Sequence, residues 1–168
     1  RPAPGEEDVI RLMLKPEARA RLDRVERNTL ATSACGVCGK PSFSPPTPGA
    51  RQPAQAEPGQ VAPALLLSLP DRLRAEQGVF ESTGGIHAAG LFDAQGELLS
   101  VREDVGRHNA LDKLIGAALL ADRLPLSGCI VMLSGRASYE LLQKSVMAGA
   151  PIVCAVSAPS SYAVALAE

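Results

Sequence analysis

Two short apolar segments in the second half of the chain, Cys129–Leu133 and Ile152–Val156, constrain its fold more than any other feature. Continuous apolar runs of this length are typical of strands that are buried on both faces. A helical pattern lies between them, and the order strand–helix–strand predicts a parallel pair joined by a crossover helix. The runs end at Ser134-Gly135-Arg136 and Ser157-Ala158-Pro159. We expect these two turns to lie side by side at the carboxyl edge of the sheet, where α/β proteins bind ligands.

The middle of the chain predicts a hairpin and two helices. Ala88–Phe92 and Glu97–Val101 flank the turn residues Asp93-Ala94-Gln95-Gly96, and they are expected to pair as antiparallel strands. Apolar residues from Leu111 to Leu119 recur with the spacing of one helix face. Because Pro followed by an acid is typical of a helix start, we also expect a short helix from Pro70 to about Gly78.

Proline content divides the chain into three regions. Residues 1–40 form the end of an N-terminal region that carries a CxxC motif. Residues 41–63 hold seven of the fourteen prolines, and they predict a flexible loop because such a segment buries too little apolar surface to offset its ordering entropy. Residues 64–168 form the expected α/β domain, which would bind a nucleotide or cofactor.

Composition excludes several classes of protein. A hydrophobic content of 46% and a charged content of 21% are typical of a globular domain. The formal net charge of −1 argues against nucleic acid or a membrane surface as a partner. No apolar run approaches the roughly 18 residues that a membrane-spanning helix needs, and the opening residues do not resemble a signal peptide. With four cysteines and no secretory signal, we expect reduced thiols and a cytoplasmic location.

The pair Cys35 and Cys38 has three interpretations. It suits half of a zinc site, although the other two cysteines, Cys129 and Cys154, form no second CxxC motif. Both lie in expected buried strands, where we expect them to be core thiols. It suits a thioredoxin-like redox motif, although the residues that follow the pair disfavour the helix that this motif needs. The third interpretation is a nucleophilic thiolate on a movable loop that accepts sulfur as a persulfide, with a cation such as Lys40 favouring the thiolate.

Polar residues cluster at the start of the helix that follows the hairpin. Asp104, Arg107, His108 and Asn109 supply more polar groups than helix capping requires. One interpretation is a solvated helix start with charge pairs along one face. The other is a binding site for a polar, nucleotide-like ligand.

Two further segments are candidates for ligand contact. The two turns at the carboxyl edge suit a phosphate or diphosphate, because they offer hydroxyls, helix-start amides and the Arg136 guanidinium. The alternative is two ordinary capped helix starts, which would contain the same residues. Thr83-Gly84-Gly85 would let backbone approach a ligand closely, with His87 directed at it. The alternative is a plain glycine turn followed by a structural histidine.

Five motifs occur together in one order: Cys35-Gly-Val-Cys-Gly39, Thr83-Gly-Gly-Ile-His87, Arg102–Lys113, Ser134-Gly-Arg-Ala-Ser138 and Ser157-Ala-Pro159. Together they closely resemble the FdhD/NarQ family, the accessory sulfurtransferases of formate dehydrogenase, over nearly the whole chain. The resemblance implies a cytidine-deaminase-like three-layer α/β sandwich with a mixed sheet, a flexible loop that bears the cysteines, and a homodimer. It also implies a sulfur carrier that accepts persulfide sulfur from a cysteine desulfurase. The carrier would pass this sulfur to the molybdenum cofactor in its bis-guanine-dinucleotide form, before insertion into formate dehydrogenase.

By that resemblance, Cys35 is expected to carry the persulfide and Cys38 to assist its transfer or resolution. Zinc-deaminase chemistry is not expected, since His87-Ala88-Ala89 lacks the acid of the H-x-E signature. The expected pocket for the cofactor, which would also take a GDP-like nucleotide, is formed by Thr83, Gly84, Gly85, His87, Asp104, Arg107, His108, Asn109, Ser134, Gly135, Arg136, Ser157, Ala158 and Pro159.

Members of the family are longer than this chain at both ends, and the C-terminal tail beyond Glu168 belongs to their cofactor-binding region. We therefore expect the chain to fold without full activity. The alternative function is a non-catalytic chaperone that holds the guanine-dinucleotide cofactor, and a structural zinc module is a third alternative.

Overall fold

The computed structural model describes Met13 and residues 61–168. In this part of the chain five helices and four strands follow one another: α1 (Pro63–Ala75), α2 (Gly78–Thr83), β1 (His87–Phe92), β2 (Leu98–Asp104), α3 (Arg107–Leu120), β3 (Ile130–Arg136), α4 (Tyr139–Met147), β4 (Ile152–Ser157) and α5 (Ser161–Ala167). None of these helices is long and apolar enough to cross a membrane. Cys35, Cys38 and nearly all of the expected loop at 41–63 lie outside the described residues.

The four strands form one mixed sheet in the order β2-β1-β3-β4. β1 pairs antiparallel with both β2 and β3, whereas β3 and β4 are parallel neighbours. The predicted hairpin, the predicted parallel pair and the α/β class are confirmed. The parallel pair has α4 as its crossover, so both strands end at the same edge of the sheet.

Helices cover both faces of the sheet. On one face α3 and α4 pack through Leu111, Leu114 and Leu141 against β1 and β3. On the other face α1 packs through Leu69 and Leu73. A Cβ atom on Gly90 of β1 would lie only 2.8 Å from Cδ1 of Leu73, so a larger residue at this position would force the Leu73 side chain to move. The predicted three-layer sandwich is therefore confirmed.

The turn between β1 and β2 is held by one aspartate. Oδ1 of Asp93 accepts hydrogen bonds of 2.9 Å from the backbone N–H groups of Gln95 and Glu97, as Asp commonly does in turns. Gly96 has a φ of +82°, which an L side chain rarely adopts. β2 then continues to Asp104, three residues beyond the predicted end at Val101.

The prediction that a helix begins at Pro70 is wrong. α1 begins at Pro63, where a proline is well tolerated because the first turn of a helix has free N–H groups, and Pro70 lies inside the helix. An internal proline removes a backbone hydrogen bond and usually breaks a helix. Here Leu69 and Leu73, on either side of Pro70, are 0% and 1% exposed. Burial of these two side chains against the sheet offsets the local cost, and the helix continues to Ala75.

Two predictions about the parallel pair need correction. Ser134-Gly135-Arg136 is not a turn, because β3 continues through it to Arg136 with an irregular register after Leu133. β4 is not buried on both faces, because it lies at the edge of the sheet and Val156 is 57% exposed. The two strand ends are nevertheless adjacent as predicted, since Arg136 pairs with Ser157.

Candidate functional site

A cleft of about 530 Å³ lies where β1 begins and where β3 and β4 end. This volume falls within the range of small-molecule sites. Four of the predicted site residues line it: Gly84, Gly85, His87 and Ser134. The remaining wall comes mainly from α1 and α2, through Pro70, Asp71, Leu73, Arg74, Gln77, Phe80, Ile86 and Val156.

The glycine pair forms an open rim of the cleft. Gly84 ends α2 with a φ of +66°, and its N–H donates a 2.7 Å hydrogen bond to the carbonyl of Phe80. Among the described residues, a Cβ atom on Gly84 would meet nothing within 4 Å, and one on Gly85 would meet only the Thr83 carbonyl oxygen, at 3.8 Å. The hydroxyl of Thr83 itself donates to the carbonyl of Val79. The backbone at Gly84 and Gly85 is therefore accessible to a ligand, whereas the Thr83 hydroxyl is engaged within the helix.

His87 and Ser134 meet across two neighbouring strands. Oγ of Ser134 accepts a 2.8 Å hydrogen bond from the backbone N–H of Ala88 and lies 3.5 Å from Nδ1 of His87. A Cβ atom on Gly135 would lie 3.4 Å from the His87 ring and 3.7 Å from Cδ of Arg107. Gly135 thus lies between His87 at the cleft and Arg107 at the start of α3, and a Cβ atom there would make ordinary contacts with both side chains.

Asp104 and Asn109 act at the junction between β2 and α3. Oδ1 of Asp104 accepts hydrogen bonds from the backbone N–H of Gly106 at 3.0 Å and from Nδ2 of Asn109 at 3.1 Å. Its Oδ2 forms an ion pair of 2.5 Å with Nζ of Lys113. The Lys113 ammonium, followed by the Gly106 and Asn109 hydrogen bonds, lowers the pKa of Asp104 from 3.8 to about 2. These contacts fix the start of α3, and neither Asp104 nor Asn109 lines the cleft.

His108 lies in the contact between α3 and α4 and does not line the cleft. Its Nε2 is 3.3 Å from Oγ of Ser138. Burial lowers the pKa of His108, and the nearby Glu140 carboxylate opposes this shift. Lys144 of α4 completes the network through ion pairs with Glu140 at 3.1 Å and with Asp112 of α3 at 2.7 Å. The two histidines of the chain therefore occupy different surroundings, and His87 alone of the two borders the cleft.

Most of the residues predicted at the carboxyl edge lie outside the cleft. Arg136, Ser157, Ala158 and Pro159 are exposed, and they are not among the residues that line the cleft. α4 begins only at Tyr139, so its free amides do not belong to the segment 134–136. The N–H of Ser160, the N-cap residue of α5, donates a 2.9 Å hydrogen bond to the carbonyl of Ala137. This bond joins the segment between β4 and α5 to the segment between β3 and α4.

The wall formed by α1 and α2 was missed at the level of sequence. Glu103 of β2 anchors it, since Oε2 and Oε1 accept hydrogen bonds from the backbone N–H groups of Val79 at 3.0 Å and Phe80 at 2.9 Å. The guanidinium of Arg74 lies 3.9 Å from the centroid of the Phe80 ring, a cation–π contact between the two helices. Partners that lie 23 and 24 residues apart leave no local pattern from which this wall could have been predicted.

Within the described part of the chain, no group of three or more His, Cys, Asp or Glu side chains is arranged to hold a metal ion. Cys129 and Cys154 are partly buried and pack against the two core clusters, as predicted for core thiols. Burial raises the pKa of both thiols. Both are therefore poor nucleophiles at neutral pH.

The described residues form a three-layer α/β domain with a cleft of ligand size at its strand ends. The sequence profile of the FdhD/NarQ family matches residues 5–168, and the chain belongs to this family.

Similar proteins include several from distant microorganisms. The sulfur carrier protein FdhD of Streptomyces coelicolor is 55% identical over 161 residues, which cover 95% of this chain and 57% of that protein. The sulfur carrier protein FdhD of Sulfolobus acidocaldarius is 44% identical over 142 residues, covering 84% of this chain and 54% of that protein. The chain thus spans little more than half the length of the curated relatives it matches.

A solved structure shares the fold. The crystal structure of a protein from Desulfotalea psychrophila, described as a formate dehydrogenase accessory protein, superimposes with a TM-score of 0.55 at 33% sequence identity. The match covers 62% of this chain and 44% of the other.

Proposed function

We propose that this chain is a sulfur carrier that acts in the maturation of formate dehydrogenase. The matched relatives are named as sulfur carriers, and the solved neighbour is described as a formate dehydrogenase accessory protein. The observation that most supports the proposal is the presence in one chain of a CxxC pair, Cys35 and Cys38, and a ligand-sized cleft lined by His87 and Ser134. A carrier needs a nucleophilic thiol for the sulfur and a binding site for the acceptor.

In the proposed reaction, the thiolate of Cys35 attacks the terminal sulfur of a persulfide on a cysteine desulfurase. A sulfur–sulfur bond forms at Cys35, and the desulfurase cysteine leaves as a thiolate. The Cys38 thiolate then attacks Sγ of Cys35, which releases the terminal sulfur as hydrosulfide and leaves a disulfide between Cys35 and Cys38. Formation of this disulfide supplies the two electrons that reduce the sulfur in this step. An external thiol must then reduce the disulfide before Cys35 can accept another sulfur.

The proposed acceptor is the molybdenum cofactor in its bis-guanine-dinucleotide form, which is a substrate of the carrier. A cleft of about 530 Å³ suits one guanine nucleotide portion of this molecule, or a free GDP-like nucleotide. The backbone at Gly84 and Gly85 would lie close to the ligand, and His87, placed by Ser134, would supply a polar side chain. The cofactor carries two guanine dinucleotides, which suits one cleft on each protomer of a homodimer.

The proposed partners are a cysteine desulfurase as donor and formate dehydrogenase as the final recipient. We place the protein in the cytoplasm, because thiols of this kind remain reduced there. No nucleic acid takes part in the proposed reaction, in keeping with the net charge of −1.

Intact-protein mass spectrometry tests the proposal. The full chain is incubated with a cysteine desulfurase and cysteine, alongside the variants Cys35→Ala and Cys38→Ala. The proposal expects a reducible gain of one sulfur atom that is absent in Cys35→Ala, and it expects Cys38→Ala to retain the persulfide for longer. If no variant and no wild-type protein gains sulfur while GDP still binds, the carrier is excluded and a non-catalytic cofactor chaperone is the better description.

A further inference from the structure

The hydroxyl of Ser134 joins the end of β3 to the start of β1. Its Oγ accepts a 2.8 Å hydrogen bond from the backbone N–H of Ala88 and lies 3.5 Å from Nδ1 of His87. A hydroxyl has one donor hydrogen and two acceptor lone pairs. Because the Ala88 amide can only donate, it occupies one lone pair and leaves the hydroxyl hydrogen of Ser134 available.

The imidazole of His87 supplies an acceptor for this hydrogen. Within residues 61–168, the Ser134 side chain has no hydrogen-bonding contact other than those with Ala88 and His87. If Nδ1 carried the ring proton, it would donate to Ser134 and leave the partly buried hydroxyl hydrogen without an acceptor, which is unfavourable. If Nδ1 is unprotonated, the hydroxyl donates to it and both groups have a partner.

The orientation of the ring leaves Nε2 for the cleft. A Cβ atom on Gly135 would lie 3.4 Å from both Nδ1 and Cε1 of His87, so this edge of the ring faces β3. Among the residues that the structure describes, none forms a hydrogen bond with Nε2, and His87 lines the cleft. A neutral imidazole has one N–H, so an unprotonated Nδ1 places the proton on Nε2.

We propose that Ser134 is a positioning residue that holds neutral His87 with its proton on Nε2, so that the ring offers a hydrogen-bond donor. The partner that His87 takes is then an acceptor, such as an anionic or carbonyl oxygen. The opposite tautomer would offer an acceptor and would select N–H or O–H groups instead. The inference rests on the proposed function only for the identity of the ligand, since the tautomer is a property of the chain alone.

Long-range proton–nitrogen NMR of the isotope-labelled full chain tests the inference without any ligand. These spectra distinguish a protonated ring nitrogen from an unprotonated one, and they are recorded at a pH where titration shows both histidines to be neutral. We expect Nε2 of His87 to be protonated in the wild-type protein. In Ser134→Ala the ratio of the Nε2–H form to the Nδ1–H form should fall about fivefold, as the loss of one net hydrogen bond implies. Ser134→Thr keeps the hydroxyl and should restore the wild-type ratio.

His108 provides a matched control in the same spectra. Its Nε2 lies 3.3 Å from Oγ of Ser138, so Ser138→Ala should change the ring resonances of His108 and leave those of His87 unaffected. Ser134→Ala should have the reverse effect. A purely structural role of Ser134, through the Ala88 amide, would shift backbone resonances of β1 without changing the tautomer ratio of His87.

Protonation of Nδ1 in the wild-type protein, or an unchanged ratio in Ser134→Ala, overturns the inference and leaves the sulfur carrier intact. If Ser134→Ala does not fold, Ser134→Cys takes its place, and the weaker thiol donor should lower the ratio by a smaller factor. Addition of GDP to the labelled wild-type protein tests the proposed function separately. GDP that binds should shift the Nε2 resonance of His87, and the absence of binding would overturn the assignment of the cleft to the acceptor while the tautomer ratio still decides the role of Ser134.

Discussion

The carboxylate of Glu103 accepts a 2.9 Å hydrogen bond from the backbone N–H of Phe80, so the end of a strand caps a helix that precedes it by more than twenty residues. The second carboxylate oxygen accepts from Val79. These two bonds hold α2, and with it one wall of the cleft, against the sheet.

Replacing Glu103 with alanine should therefore loosen that wall. We expect Glu103→Ala to lower the free energy of unfolding by about 1–2 kcal/mol, as the loss of a helix cap does, and to weaken nucleotide binding in the cleft. Urea denaturation and isothermal titration measure the two effects. Glu97→Ala changes an exposed acid at the opposite end of the same hairpin, and it should alter neither quantity. Equal effects of the two substitutions would show that the cap does not position the wall.

Alanine substitutions at two glycines, Gly149 and Gly116, should change the free energy of unfolding in opposite directions. Gly149 has a φ of +81°, and a Cβ atom there would lie 2.5 Å from Cβ of Pro125. Gly149→Ala should lower the free energy of unfolding by more than about 1 kcal/mol, because it adds a steric conflict to an unfavourable backbone conformation. Gly116 lies within α3, and a Cβ atom there would meet no atom of the described residues within 4 Å. Gly116→Ala should instead raise the free energy of unfolding by about 0.5–1 kcal/mol. Thermal or urea denaturation of both variants checks the signs.

Asp104 should make stability depend on acid pH. Its pKa is lowered from 3.8 to about 2 in the folded chain, so the folded state favours the charged form. The stabilisation is fully present above about pH 4, and it is lost as the pH falls through 2. Asp104→Asn should be less stable than wild type at pH 7, and the difference between the two proteins should shrink between pH 4 and pH 2.

Lys113→Met gives an independent check of this pH dependence, because the Lys113 ammonium is the largest cause of the lowered pKa. In this variant the pKa of Asp104, followed by carboxyl NMR, should rise towards 3.8. High salt should produce a smaller change in the same direction, since the ion pair is accessible to solvent. An unchanged pKa in Lys113→Met would contradict the assignment.

The two core thiols should take no part in sulfur loading. Burial raises the pKa of Cys129 and Cys154, which leaves less thiolate at neutral pH. We expect iodoacetamide to modify both several-fold more slowly in the folded chain than after denaturation, as measured by peptide mass spectrometry. The variant Cys129→Ala/Cys154→Ala should gain sulfur from the desulfurase at the wild-type rate. Loss of loading in this variant would assign the persulfide to a core cysteine.

Much of the sheet follows from local patterns. The continuous apolar run before Ser134 predicts β3, and all four residues from Ile130 to Leu133 are buried. The turn chemistry of Asp93 and Gly96 predicts the hairpin. In these segments the local preference and the tertiary environment favour the same structure, which is why sequence was sufficient.

Prediction failed where tertiary packing outweighs a local preference. Pro70 is a helix breaker by local rules, but burial of Leu69 and Leu73 keeps α1 continuous. Ser134-Gly135-Arg136 has the composition of a turn, yet pairing with β4 extends the strand.

Sequence patterns identified only part of the lining of the cleft. Gly84, Gly85, His87 and Ser134 were identified and line the cleft. The polar residues at the start of α3 were grouped with them because a polar helix start suits a nucleotide-like ligand. In the structure Asp104 is bonded to Lys113, and His108 lies beside Ser138 at the start of α4. Asp71 and Gln77 were not predicted to line a site, since only the packing of α1 and α2 against the sheet brings them to the cleft.

The register of the hairpin has a practical consequence for spectroscopy. His87 pairs with Asp104 at one end of β1 and β2, whereas the connecting turn lies at the other end, roughly 17 Å away at the usual rise of a strand. A fluorophore on Gln95→Cys would report global unfolding without disturbing the cleft. A fluorophore on Thr83→Cys, beside the glycine rim, would respond to ligand entry. With Cys35 and Cys38 replaced by alanine, so that labelling occurs at the introduced thiol, one dye at the hairpin turn and one at the rim report unfolding and occupancy separately.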